Sequence, residues 1–511
     1  MVQLDGKSLT LEEVIAVSYN NARVCISPSG IENMSLSRRF VEAAAGSGQP
    51  VYALNTGVGL LADIALDTSE IETMQVNLVR SHCCGVGQPL QREVVRGLMV
   101  IRANVLAKGC SGIRPVIAER LCDLLNYGIT PVIPARGSVG ASGDLAPLAH
   151  MALTLIGEGE AEFAGEVRSS LECLRAVGLE PLKLEAKEGI SLLNGTQAML
   201  SIACLQLHEL EKLFVAAQTA AALTMEALRG TPVPFDARLN AVRPHPGQIH
   251  SAAHMRRLLA DSGIPRTQGQ SRRIQDAYCL RCIPQVHGAA WDALREARRV
   301  FEIELNSATD NPLVFDEDIL SGGNFHGAPL ALSLDFLAIA LCQLAGISER
   351  RIERLVNPSL NEGLPAFLAA SPGLESGLMM AQVTAAALFA EMRVLATPAS
   401  VGSLPTSGNQ EDFVSMGMTS ALKLEQSVDL ARKIIAIELL ASTRAIDLRE
   451  DVSTAPVLRE AIRRFREHVP GWTQDCVLSG PIAKAEKFIA DGWLNDIDLQ
   501  HTMAQPSGVE A

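Results

Sequence analysis

Residues Gly137-Ser-Val-Gly-Ala-Ser-Gly-Asp-Leu-Ala-Pro-Leu148 decide how this chain is read. Three glycines recur at every third position (Gly137, Gly140 and Gly143), with Ala141-Ser142 between the last two. Backbone with so few Cβ groups reaches conformations closed to other residues, including tight turns that bring an amide nitrogen near a carbonyl carbon. Familiar glycine-rich motifs do not fit. A phosphate loop needs lysine after its final glycine, where Asp144 stands. The dinucleotide fingerprint G-x-G-x-x-G is absent, and Gly140-Ala-Ser-Gly143 is not the esterase elbow G-x-S-x-G. A plain turn before the helical run His150-Met-Ala-Leu-Thr-Leu-Ile156 stays open as the simpler reading.

The residue types suit backbone cyclisation. If the Gly143 nitrogen attacks the Ala141 carbonyl carbon, a five-membered ring closes through Ser142. Loss of water from the ring, and of the Ser142 hydroxyl with its α-hydrogen, leaves a conjugated exocyclic methylene. Glycine supplies an unhindered nitrogen, alanine an unhindered carbonyl, and serine the leaving hydroxyl. The product is a carbon electrophile made from the chain itself.

Seven further segments extend the pattern: Tyr52-Ala-Leu-Asn-Thr-Gly57, Ser81-His82, Leu192-Leu-Asn-Gly-Thr-Gln197, Gln275-Asp-Ala-Tyr-Cys-Leu-Arg-Cys282, Asn306-Ser-Ala-Thr-Asp-Asn-Pro312, Ser321-Gly-Gly-Asn-Phe-His326 and Asn409-Gln-Glu-Asp412. With the loop, they resemble the aromatic amino acid lyases, from about Val51 to Met416, and the histidine-type members most. The resemblance implies a mainly α fold: a long-helix bundle with a smaller mixed N-terminal region carrying the prosthetic-group loop. It also implies 4-methylideneimidazole-5-one (MIO) formed from Ala141-Ser142-Gly143 with no external cofactor, and a homotetramer whose pockets are shared between subunits. The implied reaction is elimination of ammonia from an aromatic L-amino acid, with L-histidine to trans-urocanate as the leading expectation. A phenylalanine or tyrosine ammonia-lyase and an aromatic 2,3-aminomutase are the alternatives. A helical scaffold that kept the loop without catalysis is the remote one.

Composition agrees. At 511 residues the chain is several average domains long, so a large core is expected. Hydrophobic residues make up 48% but aromatics only 4%, so Ala, Leu, Ile and Val carry that core, a mix suited to close-packed helices. Net charge is −13, from 44 basic and 57 acidic residues, which argues against a nucleic-acid surface. Met1-Val-Gln-Leu-Asp-Gly-Lys-Ser lacks the basic-then-apolar layout of a secretory leader. Apolar runs such as 213–225 and 336–348 are too short to span a bilayer. A soluble, cytoplasmic protein with no membrane partner is expected. Its eleven cysteines are scattered, as for reduced thiols, and Cys279-Leu-Arg-Cys282 has no second pair to complete a metal set.

Hydrophobic spacing divides the chain into an N-terminal region 1–196 with the loop 137–148, a central bundle 197–447 and a C-terminal helical region 448–511. Ser8-Leu-Thr-Leu-Glu-Glu opens a short helix in capping-box fashion, within an otherwise mixed and polar 1–50. Apolar residues at three and four predict helices across 91–127, broken near Gly109 and Gly112. Pro131 to Pro134 reads as extended. Long helices are predicted at 197–229, 286–306, 330–356, 376–396 and 416–447. Leu334, Leu337, Leu341, Leu344, Ile352 and Leu355 mark a buried stripe, with Glu349, Arg350, Arg351, Glu353 and Arg354 facing water or a neighbour. The loop-like 261–274 reads as a candidate lid.

The resemblance also assigns roles. Tyr278 is the candidate base for the β-proton, and Tyr52 assists at the carboxylate or amine side. A free phenol has a pKa near 10, so phenolate at pH 7 costs roughly 4 kcal/mol, and a nearby cation or helix N-terminus is needed. Arg281, three residues on, shares a helix face with Tyr278, and its fork suits a substrate carboxylate. Asn194 and Gln275 are candidates for hydrogen bonds to the ring carbonyl and the substrate's polar end, and Phe325 for an aromatic wall. Asp144 either folds the loop for cyclisation or caps the following helix. His82 and Glu411 are candidate imidazole partners, because a carboxylate and an imidazole offer bonds that a phenyl ring would leave unpaired. Four features depart from the histidine type: Phe413 after Glu411-Asp412, Val58, Cys83-Cys84, and the tyrosine-type Arg243-Pro-His-Pro-Gly-Gln248.

Overall fold

The computed structural model describes residues 1–46, 50–67, 69–263, 274–316, 318–449 and 453–498. Helices dominate, as the alanine- and leucine-rich composition requires. The five long predictions are present as Gln197–Ala227, Ile283–Leu305, Ala328–Val356, Met379–Leu395 and Gly417–Asp447. Arg92–Ala107 and Pro115–Tyr127 flank the predicted break at Gly109 and Gly112, both of which carry positive φ. The capping box forms at Thr10: its side chain accepts from the Glu13 amide while Glu13 reaches back to the Thr10 amide. Proline at the first turn starts Pro115–Tyr127, and Gly128 in the left-handed region ends it. Of the candidate lid, 264–273 lie outside the described residues.

Pro28–Gly46 and Ile71–His82 are among the helices that escape the hydrophobic pattern. Pro28–Gly46 buries Gly30, Met34, Ser37, Arg38 and Val41, a stripe too polar to read as a core face. Arg38 is accommodated there by Glu185 and the Ala186 carbonyl. Ile71–His82 buries Ile71, Gln75, Leu78 and Val79, with Gln75 interrupting the stripe. Gln75 satisfies its amide on the Ala53 carbonyl and the Ile190 amide.

The chain forms two compact units. The first comprises Met1–Gln206, Ala297–Asp335 and Pro398–Leu422, and it holds all the described strands. These make small sheets: Val2–Leu4 parallel to Val24–Ile26, Val86–Pro89 against Pro134–Arg136, the meander Thr130–Pro131, Glu160–Phe163 and Glu166–Ser169, and the hairpin of Leu313–Phe315 with Asp318–Leu320. At its centre every residue from Val94 to Ala107 is buried. Arg96 and Arg102 within that run find carbonyl acceptors: Val17 and Leu125 for Arg96, Asn194 for Arg102. Burial pushes both guanidinium groups down to about 10.

The second unit comprises Leu207–Glu296, Phe336–Thr397 and Lys423–Ala511. Its buried polar hub is a bidentate pair, with Arg351 Nε and Nη2 at 2.5 and 2.9 Å from the two oxygens of Glu438. Thr224 and Ser348 donate to the same carboxylate. Arg351 Nη1 turns to His287 Nε2 at 3.3 Å, and burial with the Arg351 charge holds that imidazole well below the ordinary histidine value. Leu337, Leu341, Leu344, Ile352 and Leu355 are buried as the stripe predicts, but Glu349 and Arg351 turn inward with them. The helix Ala328–Val356 is long and apolar enough to cross a membrane by length and composition, yet 56% of its most apolar window is buried inside the protein, as in a core helix.

Candidate active site

The glycine-rich loop is held open-handed by backbone and clamped from three sides. Gly140 and Gly143 have φ of +67° and +76°, the left-handed region that glycine enters without steric cost. A Cβ on Gly140 would meet Ser415 Oγ at 2.3 Å, and one on Gly143 would meet the Gly195 carbonyl oxygen at 2.1 Å. At Gly143 a side chain would clash with backbone, and at Gly140 it would have to displace the Ser415 hydroxyl. Gly143 and Gly195 form a parallel bridge, with the Asp144 amide donating to Gly195 O at 2.7 Å and the Gly195 amide to Ser142 O at 3.4 Å. From another side, Ser415 Oγ donates to Gly140 O and the Met416 amide to Val139 O. The Gly327 amide donates to Gly140 O from a third.

Asp144 is fully buried one step beyond the loop. It begins the helix Leu145–Leu155, but its side chain makes no cap bond there. Its carboxylate accepts instead from the Met199 amide at 2.9 Å and from Ser138 Oγ at 2.9 Å. Met199 lies in the first turn of Gln197–Ala227, so Asp144 satisfies orphan donors of a helix 55 residues away. Burial pushes the Asp144 carboxyl up to about 6, against the lowering pull of those hydrogen bonds. The local-capping alternative is corrected accordingly.

Ser142 and Glu411, 269 residues apart, are brought together. Ser142 Oγ donates to Glu411 Oε1 at 2.7 Å. Thr406 Oγ1 and Ser407 Oγ donate to the other oxygen at 2.7 and 3.0 Å. A backbone bridge between Thr406 and Glu411 fixes the turn that presents the carboxylate. Phe413, two residues on, is exposed; His326 Nε2 bonds its carbonyl at 3.1 Å, and the two rings stack at 6.2 Å. His326, at the end of the Ser321–His326 motif, therefore belongs to this neighbourhood, and its proximity to Phe325 in sequence was the available signal.

The other first-unit candidates sit on short elements. His82 ends Ile71–His82, and its Nδ1 lies 2.8 Å from the Leu78 carbonyl oxygen. A carbonyl only accepts, so Nδ1 carries a proton. Tyr52 accepts at its hydroxyl from the Gly59 amide at 3.1 Å, which leaves the phenol proton to donate. Asn194 closes the helix Glu188–Leu193; its carbonyl takes Arg102 Nη1 at 2.5 Å and its amide reaches the Asn311 carbonyl at 3.4 Å. Asn194 thus immediately precedes the Gly195 that grips the loop. Phe325 is half-buried.

Tyr278, Arg281 and Gln275 belong to the second unit. Tyr278 opens the short helix Tyr278–Arg281 and is 69% exposed. The Arg281 guanidinium carbon stands 4.5 Å from the ring centroid, so the two share a helix face as the spacing predicts. Arg281 Nε is buried without a hydrogen-bond partner, a cationic donor ready for an anion. Gln275 is exposed on the irregular segment that leads into this helix. Behind the turn, Arg351 Nη1 lies 3.5 Å from the Cys279 carbonyl, connecting it to the buried hub.

Comparison with known proteins places the chain in a family. A family model described as aromatic amino acid lyase matches residues 9–467. Histidine ammonia-lyase of Koribacter versatilis is 51% identical over 507 residues, covering 96% of this chain and 98% of that protein. The enzyme of the same name from Geobacillus thermodenitrificans is 47% identical over the full length of both. Among solved structures, tyrosine aminomutase from Streptomyces globisporus superposes with a TM-score of 0.94 at 39% identity, covering 99% of this chain and all of that one. Histidine ammonia-lyase from Trypanosoma cruzi gives 0.91 at 38% identity, covering 100% and 99%. This chain belongs to the aromatic amino acid lyase family.

Proposed function

We propose that this enzyme eliminates ammonia from L-histidine to give trans-urocanate, using an MIO ring formed from Ala141, Ser142 and Gly143. The observation that carries the reading is the loop itself: two glycines in left-handed backbone, gripped by Gly195 and Ser415, around a serine whose hydroxyl meets a carboxylate. Glycine suits the ring nitrogen at 143, because the Gly195 carbonyl takes the space a Cβ would fill. Once formed, the ring would supply an electrophilic methylene able to activate the substrate amine as a leaving group.

The remaining work falls to side chains. Arg281 binds the substrate carboxylate through the guanidinium whose Nε is unpartnered. Tyr278 takes the β-proton, with the Arg281 guanidinium carbon 4.5 Å from its ring centroid. Tyr52 donates its phenol proton on the carboxylate or amine side. Asn194 and Gln275 orient the ring carbonyl and the polar end of the substrate, and Phe325 walls the pocket. His82 and the Glu411 carboxylate offer hydrogen-bonding partners for an imidazole ring. The working form is a cytoplasmic homotetramer with sites shared between subunits.

The aminomutase alternative has a specific observation in its favour, the TM-score of 0.94 to the tyrosine aminomutase. Identity of 51% to a histidine ammonia-lyase against 39% to that aminomutase favours the histidine reading. A panel of L-histidine, L-tyrosine and L-phenylalanine, with ammonia and product isomer both measured, tests it. Urocanate with equimolar ammonia supports the proposal. Cinnamate, coumarate or a β-amino acid as the main product contradicts it.

A further inference from the structure

The hydroxyl that cyclisation must expel is already bonded to an acid–base group. Ser142 Oγ and Glu411 Oε1 stand 2.7 Å apart in the open peptide. The carboxylate is not free to wander: Thr406 and Ser407 donate to Oε2, and the Thr406 amide donates to the Glu411 carbonyl at 2.8 Å. Oε1 is thus aimed at Ser142 before any substrate exists. A side chain that served only to recognise an imidazole would have no reason to be held on the serine oxygen.

Resting on the reading of the loop as an MIO precursor, we propose that Glu411 is the catalytic acid–base of the chain's own maturation, and turns to substrate afterwards. Two waters leave. The first takes the Ala141 carbonyl oxygen with the amide protons of Gly143 and Ser142, as the Gly143 nitrogen bonds the Ala141 carbon and a C=N bond forms. The second comes from Ser142 alone. Its Cα–H and Cβ–Oγ bonds break, the Cα–H electron pair becomes the Cα=Cβ bond, and the proton joins the departing hydroxyl as water. Glu411 carries that proton to Oγ and ends the step as the carboxylate it began as. No oxidant or outside reactant is needed. Once Oγ has gone, Oε1 loses its partner and becomes free to accept from a substrate N–H.

Intact mass of the full-length protein, followed over time after synthesis, tests the idea. Wild type should end two waters lighter than its encoded chain. Glu411→Gln keeps the size and one acceptor but cannot relay a proton, so it should keep at least the second water, with maturation slowed about 100-fold or more. Because that variant could fail to fold, Glu411→Ala is followed with and without formate, whose carboxylate should restore water loss; a purely structural role gives no rescue. Loss of both waters by Glu411→Gln at the wild-type rate, or no effect of formate on Glu411→Ala, overturns the proposal while the electrophile stands. A wild-type mass equal to the open chain overturns both.

Discussion

Gly143 and Gly195 meet backbone to backbone, and a Cβ on Gly143 would stand 2.1 Å from the Gly195 carbonyl oxygen. For the proposed cyclisation, the contact adds a steric reason for glycine at the nucleophilic nitrogen. Gly143→Ala should lose about 1–3 kcal/mol from the left-handed φ alone, before the clash is counted. The expected protein keeps its helical circular dichroism, retains both waters and has no measurable turnover. An alanine variant of normal mass loss and rate would show that the bridge tolerates a side chain.

Asp144 should make the stability of the loop depend on pH. Its folded carboxyl is pushed up to about 6 by burial, above its ordinary value of 3.8. A raised carboxyl contributes stability that is complete below the unfolded value and is lost as pH rises through the folded one. Between pH 4 and 6 the loss amounts to about 3 kcal/mol. Asp144→Asn has no such titration. Thermal melts of both proteins should therefore show wild type losing ground to the variant as pH rises from 4 to 6, with parallel curves above about 7. A constant difference across that range would contradict the buried carboxyl.

Arg351 and Glu438 form a buried pair whose halves need each other. Arg351→Ala leaves the Glu438 carboxylate buried without its cation, at a cost of about 3–5 kcal/mol. Arg351→Met with Glu438→Leu should recover most of that in denaturant unfolding, since apolar replacements remove both charges. The double variant should still turn over more slowly, because Arg351 Nη1 also faces the Cys279 carbonyl behind Tyr278. Full recovery of both stability and kcat would confine the pair to a structural part.

Tyr278 and Arg281 should separate kinetically. Tyr278→Phe removes the proposed base and should lower kcat about 100- to 10,000-fold with little change in KM. Arg281→Lys loses the planar fork and about 1.5–3 kcal/mol of charged hydrogen bonding, so KM should rise about 10- to 100-fold. Steady-state kinetics on purified protein reads both. A KM effect in Tyr278→Phe with kcat intact would exchange the two assignments.

The sequence reading reached far where signals are local. The helices Gln197–Ala227 and Gly417–Asp447 announce themselves by apolar spacing over eight turns, and the Thr10 capping box by residues three apart. It failed where a helix buries polar groups on distant partners, as Pro28–Gly46 does with Arg38 on Glu185. The same limit explains Asp144. Its position before Leu145 suggests a local cap, and nothing nearby in sequence reveals that Met199 claims the carboxylate. Glu411 was legible as a partner for an imidazole, but its bond to Ser142 joins residues 269 apart and belongs to the tertiary fold. Activity of a Glu411 variant is consequently ambiguous by itself. Its mass must be read before its substrate preference.

The most direct measurement is peptide mapping of active wild-type protein across residues 137–148, on the same sample whose urocanate production has just been recorded. The account predicts a fragment two waters lighter than its encoded sequence, with the change confined to Ala141, Ser142 and Gly143. An intact, open Ala141-Ser142-Gly143 peptide in fully active protein would contradict it.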